Sequence, residues 1–207
     1  MAMSWTTLTG VKTADGSIKR WVNHEEIDVE QILEEAQALL FLTLRVREMR
    51  SSFSDLTMAV GDSTKALPTG FLDPIGLWDI TNNRKLSLKT EENLQNARVY
   101  TSGVLESSTP QKWAVFDELI QFECKWDAVA TLKMIGFKQP TLLSVSNTTN
   151  FLCTRYPHIL RTACLAQAFN FRNNGEREQQ ELTKLGAYIT KANAESELSY
   201  RGLELDA

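Results

Sequence analysis

The chain has 207 residues, of which 43% are hydrophobic and 23% are charged, a balance that is ordinary for a globular protein with a substantial core. Its formal net charge of −4 argues against a protein that grips nucleic acid phosphates, although it allows DNA to slide past without sticking. The three cysteines, Cys124, Cys153 and Cys164, form no CxxC pair and are odd in number, which argues against a disulfide framework and favours a reducing compartment.

The first 24 residues carry no helical period. Gly10 and the Asp15-Gly16 pair interrupt them as turn residues do, so we predict an extended arm over residues 1–24. This segment lacks the apolar run after a basic start that marks a signal peptide, and no apolar run in the chain is long enough to span a bilayer. We therefore expect a soluble, cytosolic product that does not contact a membrane.

A long helix is predicted over residues 28–50. Asp28 is the candidate N-cap residue, with Gln31 as its capping partner. Apolar residues follow at helical spacing and form one stripe: Val29, Ile32, Leu33, Ala36, Leu39, Leu40 and Leu44. The last turn is predicted to hold three cations that oppose the negative end of the helix dipole: Arg45, Arg47 and Arg50.

The pattern changes to that of strands over residues 53–138, which predicts a β-rich insertion. Leu56, Met58 and Val60 alternate with polar or small residues, as in a half-buried strand. The segments GLWDI and KLSL flank TNNR, an arrangement that is typical of a β-hairpin.

Two further elements are predicted inside this insertion. Residues 90–93 are a candidate cap of a short helix. From Trp113 onward, apolar residues again alternate with polar ones, and this predicts an antiparallel meander of two or three strands. Its turns are expected near Asp117-Glu118 and near Asp127.

Helical period returns after Asn150 and is broken by Asn173-Asn174-Gly175, residues that tolerate the left-handed conformation at a helix end. A second helix follows, with its apolar face at Leu182, Leu185, Ile189 and Ala192. The predicted fold class is α+β: a helical bundle, made of the long N-terminal helix and a C-terminal helical hairpin over residues 150–200, with a β-rich hairpin and meander insertion. A single domain over residues 1–207 is predicted, with a C-terminal tail over residues 201–207.

The stretch FLCTRYPHILRTACLAQAF, residues 151–169, is apolar around nearly its whole helical circumference. The Tyr156-Pro157 pair suits a helix start, because proline is tolerated in the first turn. A helix that is apolar on every side must be buried on every side, so this helix is predicted to occupy a central core position or a subunit interface. Its predicted packing residues are Tyr156, Ile159, Leu160, Ala163, Cys164, Leu165 and Phe169.

No constellation of residues in the sequence predicts catalysis, a cofactor or a metal site. Cys153, His158 and Cys164 lack the close spacing of metal ligands, so both cysteines are interpreted as small core residues. Neither a serine nucleophile motif nor a complete phosphate-binding loop is present. Adjacent carboxylates leave open a small carboxylate-dependent hydrolase acting on the cell wall: Glu25-Glu26, Glu34-Glu35, Glu91-Glu92 and Asp117-Glu118.

Three segments follow one another in a recognisable order. The first, ILEEAQALLFLTLRVREMRSS, has the pattern of a long helix that runs into a strand. The second, ALPTGFLDPIGLWDI, contains a Leu-Pro pair and follows that strand. NFLCTRYPHILRTACLAQAFNFRNN is similar to C-terminal helices in which a Tyr-Pro pair precedes an Ala-rich helix. In this order, over residues 27–200, the segments resemble the phage head-to-tail adaptor proteins, which are portal-binding connector or head-completion proteins.

The resemblance implies a structural virion protein and not an enzyme. Such adaptors form a ring of twelve subunits beneath the portal and provide the docking surface for a nozzle, hub or tail-completion protein. DNA passes through the lumen of the ring without specific binding, and the acidic net charge suits such a channel wall. The implied location is the head–tail interface of the virion, with host cytoplasm during assembly. A DNA-binding accessory factor is a weaker alternative, which the net charge disfavours.

The C-terminal segment SELSYRGLELDA is the predicted portal contact. The helical pattern fades near Tyr200, where Arg201-Gly202 can release the chain from helical geometry. Composition fits a frayed terminus equally well, but in the resembled family C-terminal extensions often dock onto the portal, which favours folding on binding. The predicted portal-binding residues are Leu198, Tyr200, Arg201, Leu203 and Leu205.

Overall fold

The computed structural model describes the backbone of residues 3–204, and the side chains of this range except those of residues 54–55 and 198–204. The chain divides into two compact units. One, the helical unit, is built from the residues before Met49 and after Gln139, and the other, the β-rich unit, is Met49–Gln139. The predicted α+β class is confirmed, and the β-rich unit matches the insertion predicted over residues 53–138. That the two units act as a single domain stays a prediction.

The predicted extended arm over residues 1–24 is wrong, because the segment holds two one-turn helices, α1 (Trp5–Leu8) and α2 (Ile18–Trp21). Ser4 and Ser17 cap them through their side chains. Three apolar side chains of this segment are buried: Leu8, Ile18 and Val22. A helix of one turn is too short to show a hydrophobic period, so the serine caps are its only local signal.

The long helix α3 (Val29–Thr43) begins where it was predicted to begin. The Asp28 carboxylate accepts a hydrogen bond from the Gln31 backbone N–H at 3.0 Å, which confirms the N-cap. The Gln31 side chain donates instead to Glu35, at 2.8 Å, so the reciprocal capping contact was wrongly predicted.

The end of α3 was predicted at residue 50 and lies at Thr43, so Arg45, Arg47 and Arg50 are not in its last turn. Asn193 reaches this end of the helix, where it accepts from the Arg45 N–H at 2.8 Å and donates to the Thr43 carbonyl at 3.0 Å. Arg45 also donates to the carbonyls of Phe41 and Leu44, so one of the three arginines does cap the helix end. A 3₁₀ turn, Arg47–Met49, then leads into the first strand.

The β-rich unit contains eleven strands among the residues that the structure describes. They are β1 (Arg50–Met58), β2 (Thr64–Ala66), β3 (Phe71–Asp79), β4 (Arg84–Leu88), β5 (Tyr100–Thr101), β6 (Val104–Leu105), β7 (Ser107–Ser108), β8 (Lys112–Phe116), β9 (Leu119–Phe122), β10 (Lys125–Trp126) and β11 (Ala130–Lys138). Seven of them form one sheet in the order β1-β11-β3-β4-β8-β9-β2, and β5–β6 and β10–β7 form two small pairs. A short helix, α4 (Glu91–Ala97), starts at the predicted cap, where the Thr90 side chain accepts from the Asn93 N–H.

The predicted β3–β4 hairpin is confirmed, with Leu77 opposite Leu86. The predicted turn at Asp117-Glu118 is also confirmed, and it joins β8 to β9. The predicted meander is wrong in its last step, because β11 does not continue from β9 but lies between β1 and β3. Alternation identifies β11 as a strand, since its buried residues are Ala130, Leu132, Met134 and Gly136. Alternation carries no information about a distant partner strand.

The remaining helices of the helical unit are α5 (Phe151–Arg155), α6 (Pro157–Phe171) and α7 (Gly175–Glu204). The Asn150 side chain caps α5, and Asn173 takes a positive φ of 53° between α6 and α7, where the break was predicted. α6 packs against both α3 and α7. The predicted end of the second helix near Tyr200 is wrong, since α7 continues through Arg201-Gly202 to Glu204. The complete helical bundle stays a prediction.

Candidate interaction surfaces

α6 lies inside the helical unit, on the core side of the hairpin. Among its predicted packing residues, Tyr156 and Leu165 are half-buried, and the others are buried: Ile159, Leu160, Ala163, Cys164 and Phe169. Neighbours within the same chain therefore account for the apolar circumference of this helix. A role of these residues in contacts between subunits stays a prediction.

A polar cluster fixes the corner between α5 and α6. The Glu48 carboxylate accepts a hydrogen bond from Arg155 Nη1 at 2.5 Å and from the Tyr156 hydroxyl at 3.2 Å. Burial, and then the nearby Glu48 charge, raises the pKa of Tyr156, so the phenol keeps its proton and remains a donor. The Tyr156 ring lies edge-on to Phe151, with 6.0 Å between ring centroids. Sequence reasoning assigned Tyr156 to packing and missed Glu48, because the two residues are 108 positions apart.

The two C-terminal cysteines are buried, free thiols, Cys153 on α5 and Cys164 on α6. Burial raises the pKa of both thiols, so they remain protonated and unreactive at neutral pH. His158, the third member of the rejected metal set, is exposed and lies edge-on to Tyr188, at 5.1 Å between ring centroids. Within the part of the chain that the structure describes, no three His, Cys, Asp or Glu side chains are arranged to hold a metal ion.

The adjacent carboxylates that left a hydrolase open do not line a buried cleft. Seven of the eight are exposed, and Glu91 is half-buried. A glycosidase needs two carboxyl groups that face each other across a cleft, an arrangement that these adjacent and mostly exposed side chains do not form. Among the side chains that the structure describes, Asp79 is a fully buried carboxylate, which sequence reasoning missed. It accepts from Asn82 Nδ2 at 2.7 Å and pairs with Arg84, and so holds the β3–β4 turn.

An apolar groove runs between α3 and α7, and we name it the α3–α7 groove. Its volume is about 300 Å³. Its lining residues are Leu39, Thr43, Leu182, Leu185, Gly186, Ile189 and Thr190. None of these seven residues is charged, although they lie on two helices that are otherwise rich in charged side chains. Such a surface gains stability when a partner displaces its water.

A tight turn before α5 presents apolar side chains to solvent, and we name residues 141–147 the 141–147 turn. Ser144 and Asn147 exchange backbone hydrogen bonds at 3.0 and 3.2 Å, and Asn147 Nδ2 donates to the Leu142 carbonyl at 2.8 Å. Leu143 is buried, and its N–H donates to the buried side chain of Gln37 on α3, at 2.7 Å. Val145, at the tip, is 72% exposed.

The SU10 adaptor protein family matches the chain over residues 11–203, a span that includes the β-rich unit and nearly all of the helical unit. The chain belongs to the SU10 adaptor protein family. No curated protein matches the chain. The adaptor resemblance carried by the three sequence segments is thereby confirmed.

Membership makes this SU10 adaptor a structural component of a phage virion. It also implies that the protein oligomerises and that it interacts with portal and tail proteins. In the described range of the adaptor, no helix has both the length and the apolar composition needed to cross a membrane.

The side chains of the predicted portal-binding residues lie outside the part of the adaptor that the structure describes. Leu198, Tyr200, Arg201 and Leu203 belong to the last turns of α7, whose backbone is described without these side chains, and Leu205 follows them. Their role therefore stays a prediction. Two surfaces that sequence reasoning missed are the α3–α7 groove and the 141–147 turn, each of which brings together residues from separate parts of the chain.

Proposed function

We propose that this adaptor forms a homo-oligomeric ring of twelve subunits that joins the phage head to its tail. The portal protein binds one side of the ring, a nozzle, hub or tail-completion protein binds the other, and DNA passes through the lumen without specific contacts. The observation that carries the proposal is the family match over both units. The net charge of −4 supports passage of DNA, because an acidic wall repels its phosphates.

The mass of the complex with the purified portal of the same phage tests this assembly. Native mass spectrometry is expected to find twelve adaptor subunits on each portal ring. Another fixed number would correct the stoichiometry and leave the ring in place. An adaptor that remains monomeric and unbound at micromolar portal concentrations would contradict the proposed function.

The portal contact is proposed to lie in the last turns of α7 and the residues after them. α7 is 30 residues long and mostly exposed before residue 198, so the helix that leads into this segment is largely accessible to a partner. Apolar and acidic residues alternate in GLELDA, which suits a segment that gains its burial from a partner.

Deletion of residues 202–207 tests the portal contact. Circular dichroism is expected to show an intact helical core, and binding to the portal ring is expected to weaken by about tenfold or more, which corresponds to the loss of about 1.4 kcal/mol of contact energy. The matched control is Leu42→Ser, which removes a leucine that is 73% exposed elsewhere in the helical unit. Undiminished portal binding by the truncated protein would rule out this contact.

The tail side is proposed to include the small β5–β6 hairpin of the β-rich unit. Three large apolar side chains on and beside it are more than half exposed: Val99, Tyr100 and Val104. Exposed apolar clusters of this kind are characteristic of protein contact sites. The double variant Tyr100→Ser/Val104→Ser is expected to bind portal normally and to reduce the joining of purified tails to heads. Val129→Ser, at another exposed valine of the same unit, is the control; equal joining by both variants would exclude the hairpin.

A further inference from the structure

We infer that the α3–α7 groove of one subunit receives the 141–147 turn of a second copy of the chain, so that subunits associate head to tail. This inference rests on the proposed ring, and it specifies the contact from which the ring is built. It concerns two surfaces of the helical unit, both described above at the level of individual side chains.

The groove has the properties of a receiving surface. Its volume of about 300 Å³ is lined mainly by apolar atoms of α3 and α7. A Cβ atom added at Gly186 would meet no heavy atom within 4 Å apart from the nearby backbone of its own helix, so the groove is open at this point and a neighbour can approach the helix backbone closely. A glycine in the middle of a long helix costs about 1 kcal/mol relative to alanine, which a close approach of this kind would explain.

The turn has the properties of an inserting surface. Its own hydrogen bonds and its anchor on Gln37 hold it in shape, so little conformational entropy is lost when it docks. It presents Leu142 and Val145 to solvent, and residues 139–154 contain no charged side chain. The two exposed apolar side chains of an uncharged turn are therefore matched to an uncharged apolar groove, and the contact would bury no unpaired charge.

The two surfaces lie on opposite sides of the same helix. Glu30, Glu34 and Gln37 line the side of α3 that faces the turn, whereas Leu39 and Thr43 line the groove. At 3.6 residues per turn, these two sets are about half a helical turn apart around the α3 axis. Contact between two different surfaces on opposite sides of a subunit is heterologous, and repetition of such a contact closes into a ring when the rotation per subunit allows it.

Glu30 and Glu34 do not oppose this arrangement. Both are exposed and lie beside the turn, so they would belong to the solvated rim of the contact, where charges are tolerated. A symmetric contact between two grooves would leave the turn unoccupied and would stop at a dimer.

Cysteine cross-linking distinguishes these arrangements. The double variant Val145→Cys/Thr190→Cys is prepared with Cys124→Ser, since the other two native thiols are buried. After assembly with portal and mild oxidation, denaturing gels are expected to show a ladder of covalent dimers, trimers and larger species. Each single variant in the same background is the control, and it is expected to remain monomeric. Cross-links that stop at dimers, or that join Thr190→Cys to the portal instead, would overturn the inference.

A charge placed in the groove provides an independent test. Gly186→Arg is expected to preserve the fold, because the position is open and arginine favours helix more than glycine, but to weaken association between subunits by about tenfold or more. Gln180→Arg, which adds the same charge at an exposed position of α7 outside the groove, is expected to assemble normally.

The two proposals fail in different ways. If the double-cysteine variant forms rings but does not cross-link, and if Gly186→Arg also forms rings normally, the groove contact is refuted and the proposed function remains intact. Absence of any ring with the unmodified chain and its portal would refute both.

Discussion

α6 and α7 are consecutive helices of one hairpin, yet they differ in how their own subunit covers them. α6 is buried on nearly all sides, with its exposed residues confined to His158, Arg161, Asn170 and Phe171. Over its described side chains, α7 buries mainly one stripe: Leu185, Ile189, Ala192 and Ser196. Twice as long as α6, α7 therefore leaves most of its surface available to partners.

Because of this difference, we expect α6 to determine the stability of the subunit and α7 to determine its assembly with partners. The apolar circumference of α6 is satisfied inside the subunit, so changes there are expected to act on folding. The exposed surface of α7 contributes little to the core, so changes there are expected to act on binding to partners.

The largest effect is expected from Ala163→Asp, because Ala163 is fully buried on α6. A carboxylate at this position would be removed from water, and its burial is expected to cost on the order of several kcal/mol of unfolding free energy. Chemical denaturation and soluble yield measure the loss. Ala187→Asp, at an exposed alanine of α7, is expected to change the unfolding free energy by less than about 0.5 kcal/mol. Equal stability of the two variants would contradict the enclosed position of α6.

A smaller effect is expected from Asn193→Ala. The Asn193 side chain joins α7 to the end of α3 through hydrogen bonds to Arg45 and Thr43, at 2.8 and 3.0 Å. Their loss is expected to cost about 1–2 kcal/mol of unfolding free energy, comparable to the loss of a helix cap. Thermal unfolding measures the cost. Ala194→Ser, at the exposed neighbouring position, provides the control. If the two variants unfold at the same temperature, the hydrogen bonds of Asn193 to the end of α3 do not contribute to stability.

The smallest change is chemical, and it leaves the fold intact. Burial raises the pKa of Cys164 on α6, so its thiol is expected to stay protonated and unmodified by iodoacetamide at pH 9 in the folded protein. A cysteine introduced by Thr190→Cys on α7 is exposed and is expected to react at that pH. Peptide mass spectrometry locates the modification. Because burial raises the pKa of Cys164 in the folded protein, the unfolded chain loses the thiol proton at a lower pH than the folded chain does. The free energy of unfolding is therefore expected to fall as the pH rises above 9.0, the ordinary pKa of the thiol. Modification of Cys164 in the folded protein at pH 9 would contradict its enclosure.

The elements that the sequence predicts correctly are those whose cause is local. Asp28 and Thr90 cap their helices, and Asp117-Glu118 turns the chain, because each acts on neighbours within three residues. The burial of α6 is also readable, since an apolar circumference leaves a helix no other stable position.

The elements that the sequence does not predict depend on distant partners. The end of α3 at Thr43 is hydrogen-bonded to Asn193, and β11 lies between β1 and β3, with which it pairs. Tyr156 finds its acceptor on Glu48, again far along the chain. No period or cap within a short window encodes such contacts, since they arise only when the chain is folded.

The α3–α7 groove and the 141–147 turn are in part predictable from the sequence. The groove requires α3 and α7 to meet, which no local pattern shows. Two signals were nevertheless present in the sequence: Gly186 interrupts an otherwise good helix former, and residues 139–154 carry no charge. Each has an explanation only once the structure places Gly186 in an open groove and Val145 at the tip of a turn.

Amide hydrogen exchange of the adaptor, free and bound to portal, tests the division between α6 and α7 most directly. The account predicts that the α6 amides exchange slowly in the free subunit and are unchanged on assembly. The amides of the 141–147 turn and of α7 around Gly186 are predicted to gain protection in the ring. Rapid exchange of α6 in the free subunit, with protection that appears only on assembly, would show that α6 is a subunit interface and would contradict the account.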